Sequence, residues 1–160
     1  MSQQTSPRAD HAEFSARFRP EDLAAEIAGR EDGAINACVA CCDRHVAAGR
    51  GNEVALIHDK GGVVQTLTFA ELQERSARFA EILTRLGIRP GDRVAAMLPR
   101  SPDLLITMLG TWRAGAVYVP LFTAFGPKAI ETRVKGSKAR LAVTDPANRP
   151  KLHDVAHRPP

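Results

Sequence analysis

Aromatic side chains are scarce in this sequence, with one Trp, one Tyr and six Phe among 160 residues, and they form no stripe interleaved with basic residues. Stacking on unpaired bases requires such a stripe, so nucleic acid is not an expected partner. Charge of one sign is also missing as a block. The 22 Lys and Arg and 18 Asp and Glu are interspersed for a net charge of +4, as on a solvated mixed surface. Long apolar runs are absent: the longest, 104–109 and 114–122, fall short of the ~20 residues a helical membrane span needs. Residues 1–10 are polar and carry no secretory h-region. With only three cysteines, an odd number, this excludes a disulfide scaffold and leads us to expect reduced thiols in the cytoplasm.

What is present is an ordinary globular composition, 44% hydrophobic and 25% charged. A chain of this size closing on itself buries roughly 70% of its unfolded surface around one core. Residues 1–18 show no sustained period and are expected to form a flexible arm. From Pro20 the pattern becomes helical, with Glu21 and Asp22 suited to a helix N-terminus, and this helix should end near Gly29. A second helix is expected over 35–48, burying Ile35, Cys38, Cys42 and Val46 and closing at Gly49.

The period then changes. Val54–His58 and Val63–Leu67 flank Asp59-Lys60-Gly61-Gly62, the pattern of an antiparallel hairpin. Thr68 and Glu71 form a capping box for a helix that runs to Leu86 and stops at Gly87. Phe69, Leu72, Phe79, Leu83 and Leu86 share one face of it; Glu71–Arg75, Glu74–Arg78 and Glu81–Arg85 are i,i+4 pairs. A strand is expected over 93–98. A helix should follow with Ser101 as N-cap and Pro102 as first residue, ending at Ala114-Gly115. A buried strand at 116–119, a helix over 127–135 stopped by Gly136, and a strand at 140–144 complete the pattern. After the hairpin the order is therefore α-β-α-β-α-β with short connections, which predicts an α/β fold with a doubly wound parallel sheet. Three parallel strands are few, and residues 146–160 hold four prolines and no period. The expectation is an incomplete sheet preceded by two helices and a hairpin, with an irregular tail and an exposed edge through which the chain self-associates.

Several blocks carry a family likeness. The capped helix ending in Leu86-Gly87, then Pro90-Gly91-Asp92-Arg93-Val94-Ala95, an apolar strand and Pro99, resembles the opening of adenylate-forming enzymes. Residues 112–121, Trp-Arg-Ala-Gly-Ala-Val-Tyr-Val-Pro-Leu, resemble the block that follows. The stretches Asn36–His45 and Phe122–Ile130 look like the acetyl-CoA synthetase and medium-chain acyl-CoA synthetase branch. The resemblance spans about 20–152 and makes 19–145 the first part of a ligase large domain. It implies an AMP-forming acyl-CoA ligase, which joins a small carboxylic acid to CoA through an acyl-adenylate with ATP, Mg and CoA as cofactors. The Gly- and Ser/Thr-rich loop that would cradle ATP phosphates does not occur in this sequence. The resemblance places the ribose-binding Asp, the adenine segment and the C-terminal lysine beyond these residues. The chain is therefore expected to be an N-terminal fragment, inactive by itself and offering no catalytic residue. The alternative is a non-catalytic module that binds CoA or docks on a complete ligase.

Two readings stand for each candidate cofactor-binding residue. Phe122, Thr123 and Ala124 match the family position bordering the CoA nucleotide, at the carboxyl end of a strand where open α/β sheets place ligands; otherwise Phe122 is core and Thr123 opens a helix. Arg149 and Lys151 match, loosely, a basic pair that meets CoA phosphates; otherwise they belong to a solvated loop. Cys38, Cys41, Cys42 and His45 tempt toward zinc, but on one continuous helix they spread over more than one face, so no metal site is expected. Asp59–Gly62 joins two strands and reads as a turn, not a phosphate loop.

Overall fold

The computed structural model describes residues 11–21, 35–156 and 159. The chain divides into two units, Met1–Ile35 and Asn36–Pro160. In the first, α1 spans His11–Arg17, and the exposed rings of Phe14 and Phe18 lie 5.5 Å apart. A helix thus stands where the sequence suggested only an arm without a periodic element. Of the helix expected from Pro20, Pro20 and Glu21 are helical, and the remainder lies outside the described residues.

The second unit opens with α2, residues 37–50, much of it wound as π-helix (Val39–Asp43 and Val46–Arg50). The Asn36 side chain accepts from the Cys38 and Val39 amides at 2.9 and 3.4 Å, so Asn36 is the cap and Ile35 precedes the helix. That is why Ile35 is exposed, against expectation, while Cys38 and Cys42 are fully buried. Gly49, where the helix was expected to close, interrupts the winding with a left-handed φ of 79°, a kink in the last turn.

β1 (Val54–Lys60) and β2 (Val63–Thr68) form the expected antiparallel hairpin. Gly61 and Gly62 take φ values of 63° and 87°, the left-handed pair that a tight two-residue hairpin turn demands. α3 (Phe69–Arg85) begins at a complete capping box: the Thr68 hydroxyl accepts from the Glu71 amide, and the Glu71 carboxylate accepts from the Thr68 amide at 2.8 Å. It ends in a Schellman turn, with the Ile88 amide donating to the Leu83 carbonyl and the Gly87 amide to that of Thr84. Glu74–Arg78 and Glu81–Arg85 pair as expected; Glu71 turns its carboxylate to the cap instead. Leu72 and Leu83 are buried, but Leu86 is 60% exposed.

β3 (Arg93–Met97), β4 (Val117–Pro120) and β5 (Leu141–Thr144) form a parallel sheet in the order β4-β3-β5. Period-two alternation in β3 sends its side chains to two cores. Ala95 and Met97 pack with Ile130 and Val134 of α5 (Pro127–Ser137), whereas Val94 packs with Leu83 of α3. α4 (Pro102–Arg113) lies along α3, where a Cβ at Gly110 would come within 2.8 Å of the Ser76 carbonyl. Helices therefore cover both faces, and the fold is α/β with a doubly wound parallel sheet after a hairpin. The Ser101 hydroxyl makes no cap bond. β4, an edge strand, is half open rather than buried, with Val117 exposed. Gly136 does not stop α5, which runs on to Lys138, left-handed at φ 52°. The Arg93 guanidinium compensates by donating to the Ser137 and Lys138 carbonyls at 2.8 and 2.7 Å. The tail is not wholly irregular: Arg149–Leu152 is a 3-10 turn, and Leu152 and Val155 join the α5 core.

Candidate functional site

The connection after β3 leads into α4, on the α3 side of the sheet, while the connection after β4 leads into α5 on the other side. Adjacent parallel strands whose connections leave in opposite directions open a crevice at their carboxyl ends. A cleft of about 780 Å³ lies there. Its walls are Leu98–Ser101 after β3, Leu104 and Met108 on α4, Tyr118 and Pro120 on β4, and Leu121–Ala124 beyond it. Leu56, Ile57 and His58 of the hairpin close the remaining side. Burial pushes the Tyr118 phenol pKa up, which keeps it neutral and able to donate. Arg100, exposed, brings a cation to the rim.

Phe122, Thr123 and Ala124 all line this cleft. Phe122 is 66% exposed, so it is not core. Its ring meets Phe125 edge-on at 5.1 Å, and the Arg133 guanidinium sits 4.0 Å over the Phe125 ring. The loop is anchored at both ends, by the Leu121 amide on the Ala96 carbonyl and the Phe125 amide on that of Phe122. Arg149 and Lys151 part company. The Lys151 ammonium reaches the Thr123 carbonyl, whereas Arg149 borders a separate groove of about 560 Å³ between α3 and β5, with Phe79, Leu86 and Leu141. Sequence reasoning missed the hairpin wall, Tyr118, Arg100 and Met108. No local signal marks them, because only packing brings β1 to the ends of β3 and β4.

The cysteines hold no metal geometry. Cys38 and Cys42 are buried and Cys41 is exposed. Burial, with neighbouring Cys38 and Asp43, pushes the Cys42 thiol up to about 12, so it stays protonated and is a poor ligand. Among the described residues no three His, Cys, Asp or Glu side chains converge on a point. The Asp43 carboxylate instead takes the Arg113 guanidinium in a fork, at 2.8 and 2.6 Å, and Arg113 also reaches Ser76.

Comparison with known proteins places this arrangement. The model of the AMP-binding enzyme family matches residues 43–160, and the chain belongs to that family. It is 41% identical to the acetyl-coenzyme A synthetase of Streptomyces avermitilis over 116 residues, which are 71% of this chain and 18% of that protein. With the acetyl-coenzyme A synthetase of Bacillus subtilis it shares 40% over 115 residues, 71% of this chain and 20% of the relative. The chain thus spans about a fifth of the length of the curated relatives it matches. Among solved structures, the Brucella canis acyl-CoA synthetase superimposes with a TM-score of 0.85 at 47% identity, over 93% of this chain and 27% of that one. A benzoate CoA ligase from Burkholderia xenovorans LB400 gives a TM-score of 0.67 at 27% identity, over 75% and 23%. The likeness to acetyl-CoA synthetases agrees with the branch to which the 36–45 and 122–130 stretches pointed.

Proposed function

We propose that these residues build the first part of the large domain of a cytoplasmic, ATP-dependent acyl-CoA ligase. That enzyme converts a small carboxylic acid, ATP and CoA to acyl-CoA, AMP and pyrophosphate. In this reading the contribution of the chain is a subsite for the nucleotide end of CoA. The observation that carries it is the strand-end cleft, whose lining includes the open Phe122 ring, the Arg100 guanidinium and the small Thr123 and Ala124. A flat base can rest on an aromatic face and a phosphate can pair with a guanidinium, so these residues fit CoA. They do not fit ATP with Mg: the sequence has no Gly- and Ser/Thr-rich loop, and no cluster of metal-ligating side chains is found among the described residues. No step in which ATP takes part is assigned to them.

Two measurements test this. ATP–pyrophosphate exchange by the 160-residue chain with a panel of short and medium acids is expected at background, and exchange well above it would overturn the assignment. Addition of CoA is expected to move the NMR signals of Phe122–Phe125; unmoved signals at millimolar CoA would remove the subsite. A second reading, a non-catalytic module that associates with itself or docks on a complete ligase, draws support from the outer edge of β5. No described strand pairs with that edge, and exposed Ile82 and Leu86 lie beside it. A defined dimer in size-exclusion chromatography would favour it.

A further inference from the structure

The loop after β4 is gripped from the tail by a residue that the family resemblance offered as a phosphate ligand. The Lys151 ammonium donates to the Thr123 carbonyl and, at 3.0 Å, to Asn148 Oδ1. Asn148 is itself fixed. It is 8% exposed, and its backbone and side-chain amides both donate to Asp145 Oδ1 at 2.8 Å. Next to Asp145, the Thr144 hydroxyl at the end of β5 donates to the Met97 carbonyl at the end of β3, at 3.1 Å. A connected set of bonds therefore runs from the carboxyl ends of β3 and β5, through Asp145 and Asn148, to the backbone of the β4 loop.

We infer that Lys151 is a positioning residue for the CoA subsite, fixing the Phe122–Ala124 loop through the Thr123 carbonyl instead of binding a CoA phosphate. The inference rests on the subsite proposed above. An ammonium has three donors, and two of them are committed to partners on opposite sides of the gap between tail and loop. A buried, doubly held Asn148 is what such a clamp needs, since an acceptor free to rotate would not fix the cation. Arg149, two residues away, faces the other groove and cannot share the task.

Amide hydrogen exchange in the 160-residue chain tests the clamp without any ligand. Losing a charge-assisted bond should speed exchange at the Phe125 amide, which closes the loop on Phe122, by roughly tenfold in Lys151→Met and in Asn148→Ala. Amides of β3 should be unchanged, and Lys151→Arg should restore protection. CoA and dephospho-CoA, which lacks the 3′-phosphate, should both lose affinity by the same factor in Lys151→Met. Unaltered exchange at Phe125 overturns the clamp, and so does a loss confined to CoA, which marks a direct phosphate contact. If Lys151→Met also loses protection in β3, Asn148→Ala carries the same comparison. Should the unmodified chain bind neither probe, the subsite falls while the exchange result still decides whether Lys151 holds the loop.

Discussion

Glu71 shows how one side chain couples folding to pH. The amide and hydroxyl of Thr68 hold its carboxyl below the ordinary value of 4.5. A folded pKa below the unfolded one means that the ionised carboxylate is stabilising above that value, and that the contribution is lost as pH falls through the folded pKa. Glu71→Ala should therefore lower Tm at pH 7, and the gap from the unaltered chain should narrow by about pH 3, as followed by circular dichroism. The cysteines make a second residue-scale test. Burial keeps the Cys38 and Cys42 thiols protonated, while Cys41 is open to solvent. A thiol reagent at pH 8 should label one cysteine per native chain and all three in denaturant; labelling of Cys42 in the native chain would contradict its burial.

At the scale of elements, the tight approach of α3 and α4 depends on a missing Cβ. Gly110 has no room for one, because the Ser76 carbonyl and the Phe79 ring stand within 3 Å of where it would go. Helix propensity favours alanine, yet Gly110→Ala should destabilise by about 1–3 kcal/mol, since backbone must shift to admit it; a raised Tm would refute the contact. The fork between Asp43 and Arg113 ties α2 to α4 in the same region. Asp43→Ala leaves a half-buried guanidinium without its partner and should cost roughly 2 kcal/mol in urea denaturation. Asp92 and Arg93, within the Pro90–Ala95 block that carried part of the family resemblance, are likewise structural. Asp92 accepts from Arg89 and Arg140, its carbonyl takes the Val117 amide, and Arg93 caps α5. These bonds gather the amino ends of the three strands, the opposite end of the sheet from the cleft.

For the whole molecule, the open side of the sheet matters most. Ile82 and Leu86 of α3 are 51% and 60% exposed next to the β5 groove, the kind of apolar surface that invites association. Replacing both with lysine should leave stability within about 0.5 kcal/mol, as for exposed positions generally. It should also reduce any association seen in sedimentation, and unchanged association would place the contact elsewhere.

What the sequence determined by itself was local. The hairpin turn, the Thr68–Glu71 box, the Gly87 stop and the presence of the β3 strand each follow from residues a few positions apart, whose hydrogen bonds and propensities need no distant partner. Boundaries failed for two reasons. Arg93, distant in sequence, lets α5 run past Gly136 to a left-handed lysine, whereas the Asn36 cap, a local signal that was overlooked, leaves Ile35 outside the helix it was expected to anchor. The site divides in the same way. Phe122–Ala124 were legible as a strand end, whereas the hairpin wall of the cleft, the divergence of Arg149 from Lys151 and the grip on Thr123 were decided by tertiary structure. They join residues far apart in sequence, and no spacing or propensity encodes which loops a twisted sheet will bring together.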